Sequence, residues 1–267
     1  MIKLVAVDMD GTFLRDDKTY DEDRFAKIYQ RLTKNNIQFV VASGNQYFQL
    51  CSFFEKYPDV LYVAENGALI RSQEKIISLH QYPLSSVKKI ESFLNNLSEI
   101  QFLVCGAENA YELRRLGQDY FDFSSHYYYH LKKIDDFSEI NDRILKFAIT
   151  CPDDKTDYYV QLFKEKLSGI AEVTSSGHGD IDIVQPGIHK ANGLKELGAT
   201  IGVTLDEMVA FGDGGNDLEM IQEVGDGVAM KNATPALLKV ADHITTSNKE
   251  DGVLSYLENL LDKQEKS

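Results

Sequence analysis

Short apolar runs alternate along this chain with stretches in which apolar side chains recur every three or four positions. Residues 2–7 form a β-branched-rich run that stops at Asp8, which predicts a buried strand. Residues 21–36 place Phe25, Ile28, Tyr29 and Leu32 on helical spacing, with acidic residues in the first turn and Asn35-Asn36 as a stop. Residues 37–42 read as a second strand. Ser43-Gly44-Asn45 and a helical pattern through Tyr57 follow, and residues 60–64 read as a third strand. Strands and helices in this rhythm predict a doubly wound, parallel, Rossmann-like α/β sheet, whose ligands lie beyond the carboxyl ends of its strands. Asp8, Ser43 and Glu65 stand at three such ends.

After Gly67 the rhythm changes. Residues 68–70 and 75–79 suggest a hairpin, and Pro83 precedes a helix over 85–97. Strands are expected at 101–105, 145–150, 171–174 and 181–184, with a helix at 155–167. This pattern reads as an inserted α+β module over 84–186, long enough to fold around its own core. From Gly187 the first rhythm returns, with helices at 190–197, 216–224 and 251–262 and strands at 208–211 and 227–230. The sheet unit is therefore expected to comprise 1–83 and 187–267, with a frayed tail at 263–267.

Charge narrows the function. Lys+Arg 28 against Asp+Glu 42 gives a net charge of −14, which repels nucleic acid and anionic membranes, so neither is expected as a partner. An anionic substrate then needs a local cation. Cys51, Cys105 and Cys151 are odd in number and form no CxxC pair, so neither a disulfide framework nor a zinc site is suggested, and a cytoplasmic location is expected. The apolar N-terminal run is too short for a leader or a membrane span.

Two motifs carry chemistry. In Asp8-Met9-Asp10-Gly11-Thr12 the carboxylates stand two positions apart, so an extended backbone aims both to one side, where like charges call for a cation. A calcium loop fails on spacing, because glycine falls at its fourth position and Thr19 at its twelfth. Phe211-Gly212-Asp213-Gly214-Gly215-Asn216-Asp217 runs from a strand through a glycine-rich turn into a helix, with two carboxylates and an amide. It lacks the dinucleotide-binding glycine order. Two acidic strand ends in one sheet suggest a magnesium site. Lys190, opening a helix, supplies a cation that can reach a phosphate. The paired histidines of His126-Tyr127-Tyr128-Tyr129-His130 suit a packed aromatic strand or loop better than a metal site, because a tyrosine run is β-prone.

Taken in order, Asp8-x-Asp10-Gly11-Thr12, Ser43-Gly44, Lys190 and Gly212-Asp213-x-x-Asn216-Asp217 resemble the four motifs of the haloacid dehalogenase superfamily. The insert resembles a class IIB cap. Ala64-Glu65-Asn66-Gly67-Ala68, Gly227-Val228-Ala229-Met230-Lys231-Asn232-Ala233 and Asn248-Lys249-Glu250-Asp251-Gly252 resemble the Cof-type phosphatases, and Ala42 to Gln46, Val104 to Gly106 and Gly187 to Gly193 the bacterial sugar phosphatases of that group. Asn45, where arginine is common, and Lys231, where glycine is usual, depart from the pattern.

The resemblance implies a magnesium-dependent phosphatase of small sugar phosphates, a monomer or weak homo-oligomer. Asp8 would be the nucleophile and Asp10 the acid and base. Magnesium would sit on the side chains of Asp8 and Asp213 and the backbone carbonyl of Asp10, with Asp217 supporting it from behind and Asn216 orienting ligands or touching phosphate. Thr12, Ser43, the Gly44 amide and Lys190 would hold the phosphoryl oxygens. In the cap, the turn Gly177-His178-Gly179-Asp180 and the loop around Cys105-Gly106-Ala107-Glu108 are the candidates for reading the leaving group, although His178 reads equally as an ordinary exposed turn histidine. A phosphomutase and a non-catalytic phospho-ligand sensor are the rival readings.

Overall fold

The computed structural model of the chain describes residues 1–266. β1 (Leu4–Val7) is buried on both faces, as an uninterrupted apolar strand in a parallel sheet covered by helices must be. α1 (Glu22–Lys34) is capped by Asp21, which accepts from the Arg24 backbone N–H at 3.0 Å, and it buries Phe25, Ile28 and Leu32. β2 (Gln38–Ala42), α2 (Tyr47–Ser52) and β3 (Leu61–Ala64) follow. The helix expected through Tyr57 stops at Ser52. Pro58 disfavours a helical Tyr57, and Phe54 turns inward against Phe13, Phe25 and Phe39. β4 (Leu69–Arg71) and β5 (Ile76–Leu79) are the predicted hairpin, added antiparallel to β3.

The chain next builds a second sheet. α3 (Leu84–Leu94), β6 (Gln101–Gly106), β7 (Ala110–Leu113), α4 (Gln118–Ser124), β8 (Leu131–Ile134), β9 (Ile144–Thr150), α5 (Thr156–Lys166), β10 (Glu172–Gly177) and β11 (Asp180–Val184) come in that order. The strands lie β10-β11-β9-β6-β7-β8, antiparallel except for β7 with β8. Ile90, Phe102, Phe147, Phe163 and Ile183 belong to its own apolar core. The sequence pattern does not predict β7, α4 or β8: a glutamate interrupts the first strand and a lysine pair the last. The segment from His126 to His130 is the loop between α4 and β8. His126 Nδ1 lies 2.8 Å from the Asp122 carbonyl oxygen, and the His130 ring stacks on Phe48 with centroids 3.5 Å apart. The two imidazoles thus serve separate neighbours.

The return leg brings α6 (Lys190–Ile201), β12 (Met208–Gly212), α7 (Leu218–Glu223), β13 (Asp226–Ala229), α8 (Pro235–Val240), β14 (His243–Ile244) and α9 (Gly252–Gln264). α6 continues past its expected end to Gly202, whose φ of 75° closes it in the left-handed region. The eight-stranded sheet has the order β14-β13-β12-β1-β2-β3-β4-β5. β1 pairs in parallel with β2 on one side and β12 on the other, which makes its carboxyl end the topological switch point. Asp8, Ser43 and Asp213 leave adjacent strands there. No helix of the described residues is long and apolar enough to cross a membrane.

Candidate active site

Asp8 follows β1 with its backbone N–H on the Phe211 carbonyl at 3.0 Å, which ties the turn to β12. Its Oδ1 receives a hydrogen bond from Lys190 Nζ at 2.7 Å, and the same ammonium reaches Asp217 Oδ1 at 2.6 Å. Lys190 and Asp217 are wholly buried, and Asp8 nearly so. Burial pushes the Asp8 carboxyl well above the usual carboxylate range; Lys190 opposes this, and Asp217 and Asp213 add to it. For Lys190 burial works against the charge, but Asp217 and Asp8 overcome it and raise the ammonium above its ordinary range. Asp217 Oδ2 accepts from the backbone N–H groups of Asp213 and Gly214, both at 3.0 Å, so both its oxygens are occupied.

Asp213 meets the first motif directly. Thr12 Oγ1 donates to Asp213 Oδ1 at 2.9 Å. Gly11 is required beside it, with φ 73° and a Cβ that would fall 2.4 Å from Asp213 Oδ2. Burial, then Asp217, push the Asp213 carboxyl up to about 6, with the Thr12 hydroxyl pulling the other way. Asp10 is more open: its Oδ2 accepts from Asn45 Nδ2 at 2.7 Å and its Oδ1 from Lys18 Nζ. Ser43 is buried after β2, with its Oγ accepting from the Asn45 backbone N–H at 3.2 Å. Asn216 Nδ2 lies 3.5 Å from Asn66 Oδ1. Lys231 is exposed, so its departure from the family pattern alters no buried packing.

These residues open on a cavity of about 300 Å³ between the two sheets. Its floor holds Asp8, Asp10, Ser43, Gly44, Asp213 and Asn216, and its roof Tyr120, Phe123, Tyr127, Tyr128, Lys146 and Asp182. His178 and Asp180 also line it and are solvent-exposed, with His178 Nδ1 at 3.8 Å from Asp153 Oδ1. Every site residue singled out from the sequence except Thr12, Lys190 and Asp217 therefore borders one space, and those three stand directly behind Asp8 and Asp213.

One carboxylate oxygen from each of Asp8, Asp213 and Asp217 lies within 4.8 Å of the others. Asp217 has no oxygen to spare, whereas Asp8 and Asp213 do. Counting Asp8, Asp10, Asp213 and Asp217 against Lys18 and Lys190 leaves two carboxylate charges without a counter-ion among these residues. Hard oxygen donors and a surplus of two negative charges fit magnesium.

Sequence reasoning missed two features. Lys18 lies beyond the first motif, in a turn with φ 63°, and its link to Asp10 follows from no spacing rule. Lys146, in the roof, is buried against Glu65 and Asp182, partners far apart in sequence; its only signal is a charged residue inside an apolar strand.

A carboxylate and a lysine paired at the switch point of a doubly wound sheet, with further carboxylates around a pocket between the two sheets, suit phosphoryl transfer. The haloacid dehalogenase-like hydrolase family matches residues 5–257, and the chain belongs to it as a Cof-type phosphatase. It is 38% identical over 261 residues to the 5-amino-6-(5-phospho-D-ribitylamino)uracil phosphatase YbjI of Escherichia coli, covering 97% of this chain and 96% of that protein. The crystal structure of SMU.1108c from Streptococcus mutans matches with a TM-score of 0.93 at 31% identity, over 98% of this chain and 99% of that one. A HAD subclass IIB sugar phosphatase matches with a TM-score of 0.81 at 20% identity, over 97% and 98% of the two chains, a likeness of fold. The expected nearness to sugar phosphatases thus holds for the fold, while the relative at 38% identity is named for a ribitylaminouracil phosphate.

Proposed function

We propose that the protein is a magnesium-dependent phosphatase that hydrolyses phosphomonoesters of small sugars and sugar alcohols through an aspartyl-phosphate on Asp8. The phosphoribityl chain in the name of the Escherichia coli relative belongs to this chemical class. The observation that carries the reading is Asp8 on the cavity floor at the switch point, paired from behind with the buried Lys190.

In the first step the Asp8 carboxylate attacks phosphorus in line, a P–O bond to Asp8 forms, and the ester P–O bond breaks. Asp10 gives its proton to the departing oxygen. Asp10 then takes a proton from water, which attacks the aspartyl-phosphate, releasing inorganic phosphate and restoring Asp8. Lys190, Thr12, Ser43, Asn216 and the Gly44 amide hold the phosphoryl oxygens, and Asp217 keeps Lys190 in place. Asp8, Asp213 and the Asp10 carbonyl would hold magnesium, which would supply neutralisation of the phosphoryl charge. Residues 84–186 act as the cap that selects the leaving group, because the floor residues serve the phosphoryl group and the one ester oxygen that leaves it.

A panel of phosphorylated metabolites, assayed for phosphate release with and without magnesium, tests this. Release from sugar and ribityl phosphates that depends on the metal is expected. Isomerisation without phosphate release would make the protein a phosphomutase, and binding without turnover a sensor.

A further inference from the structure

Lys146 is a buried lysine that the mechanism above does not use. It projects from β9 of the cap sheet into the cavity roof, 1% exposed, and donates to the Gly44 backbone carbonyl on the opposite side at 2.6 Å. Asp182 Oδ1 lies 3.0 Å from its ammonium and Glu65 Oε2 3.2 Å. Burial works against the Lys146 charge, but Asp182 and Glu65 overcome it and raise the ammonium above its ordinary range, so this is a charged lysine in contact with the Ser43–Gly44 turn.

The surrounding backbone is shaped around this contact. Glu65, Asn66 and Gly67 have φ of 51°, 56° and 101°, three left-handed residues in a row, two of them carrying side chains. Such conformations persist only where surrounding structure holds them. Here they set Glu65 against Lys146 and let Asn66 Nδ2 donate to Asp182 Oδ2 at 2.6 Å. Gly44 is closely approached from both units: a Cβ would lie 3.1 Å from Asn66 Oδ1 and 3.2 Å from Asp182 Oδ2.

We infer that Lys146 is a positioning residue: by binding the Gly44 carbonyl from the cap side, it fixes the Ser43–Gly44 turn in the geometry that receives the phosphoryl group. The inference rests on the proposed phosphatase reading of that turn. It differs from a leaving-group role because the contact is to backbone of the phosphate turn, which serves every substrate alike.

Lys146→Met keeps the length of the side chain and removes the charge-assisted hydrogen bond. The double variant Lys146→Met/Glu65→Gln removes the buried carboxylate charge that the single change would leave without its counter-ion, and covers the case in which the single variant folds poorly. Both are expected to lower kcat/KM for p-nitrophenyl phosphate and for sugar phosphates by a common factor of about ten to a hundred. Orthovanadate, a mimic of the transferring phosphoryl group, should inhibit them correspondingly more weakly, and Lys146→Arg should recover part of both losses. A lower melting temperature with unchanged kcat/KM and vanadate inhibition would make Lys146 a structural residue only. A changed ranking of substrates with unchanged vanadate inhibition would make it a leaving-group contact. Wild-type protein that neither turns over nor binds vanadate would instead overturn the phosphatase reading, and this inference with it.

Discussion

Among the described residues two lysines are almost wholly buried, and each is held by two carboxylates. Lys190 opens α6 and meets Asp8 and Asp217, all three within the eight-stranded sheet unit. Lys146 lies in the six-stranded sheet and meets Asp182 from the same sheet but Glu65 from the turn after β3 of the other. The two sites solve one problem, a desolvated ammonium, for different ends. At the Lys190 site both carboxylates also belong to the acidic cluster that includes Asp213. At the Lys146 site the third partner is a backbone carbonyl, so the charge orients a turn. A buried charge therefore gains its function from what else its partners touch.

The largest expected effect falls on the Lys190 side. Asp8→Asn removes the proposed nucleophile and one negative charge from a site with a surplus, so it should show no detectable turnover while keeping the fold. Its melting temperature without metal should equal or exceed that of the wild type. Substantial residual kcat in protein free of contaminating phosphatase would contradict the covalent role.

Lys190→Ala leaves Asp8 and Asp217 buried without their counter-ion. It should cost about 3–5 kcal/mol of stability, read by denaturant unfolding. It should also lower kcat/KM by roughly 10²–10³ for all substrates equally, since the proposed partner of Lys190 is the phosphoryl group common to them. A substrate-dependent loss would move Lys190 out of the phosphate site.

Metal and pH sharpen the comparison next, because the carboxylate surplus belongs to the Lys190 side. Asp213 is raised from 3.8 to about 6 in the folded protein, so between these values the folded state binds more protons than the unfolded one. Metal-free stability should therefore fall as pH rises through that window. The increase in melting temperature caused by magnesium should grow over the same interval and vanish with chelator. A magnesium shift that is as large at pH 4 as at pH 7 would contradict the assignment of Asp213. Calcium, with its larger and more flexible shell, should bind yet support little turnover.

The smallest effects belong to the cap wall. His178→Ala and Asp180→Ala should change the order of preferred sugars by about tenfold to a hundredfold without abolishing activity on any of them, as measured by kcat/KM across the panel. A parallel loss on every substrate would mean that this turn encloses the site without reading the leaving group.

The contrast between the two lysines also explains what was legible in the sequence. Asp8, Asp10, Asp213 and Asp217 follow apolar strand runs, and a parallel sheet brings strand ends together whatever lies between them in sequence. Lys190 opens a helix that returns to the same edge. Local pattern and sheet topology were therefore enough to assemble these residues. The unit of the six-stranded sheet was read less well: its β7 and β8 carry glutamate and lysines in place of an apolar run. In the other unit α2 ends early because Phe54 is drawn into a cluster of aromatic rings that no local pattern encodes. Lys146 depends on Gly44, Glu65 and Asp182, brought together only when the two sheets face each other, and Lys18 reaches Asp10 through a left-handed turn.

The most direct measurement is to trap the intermediate. Wild-type protein mixed with magnesium and an excess of a turned-over sugar phosphate, quenched in acid and treated with borohydride, should yield Asp8 reduced to homoserine in the peptide that contains Asp8 and Asp10, with Asp10 unmodified. Asp8→Asn should yield no such product. Modification at Asp10 alone, or phosphate release at full rate with no acyl-phosphate at Asp8, would contradict the account.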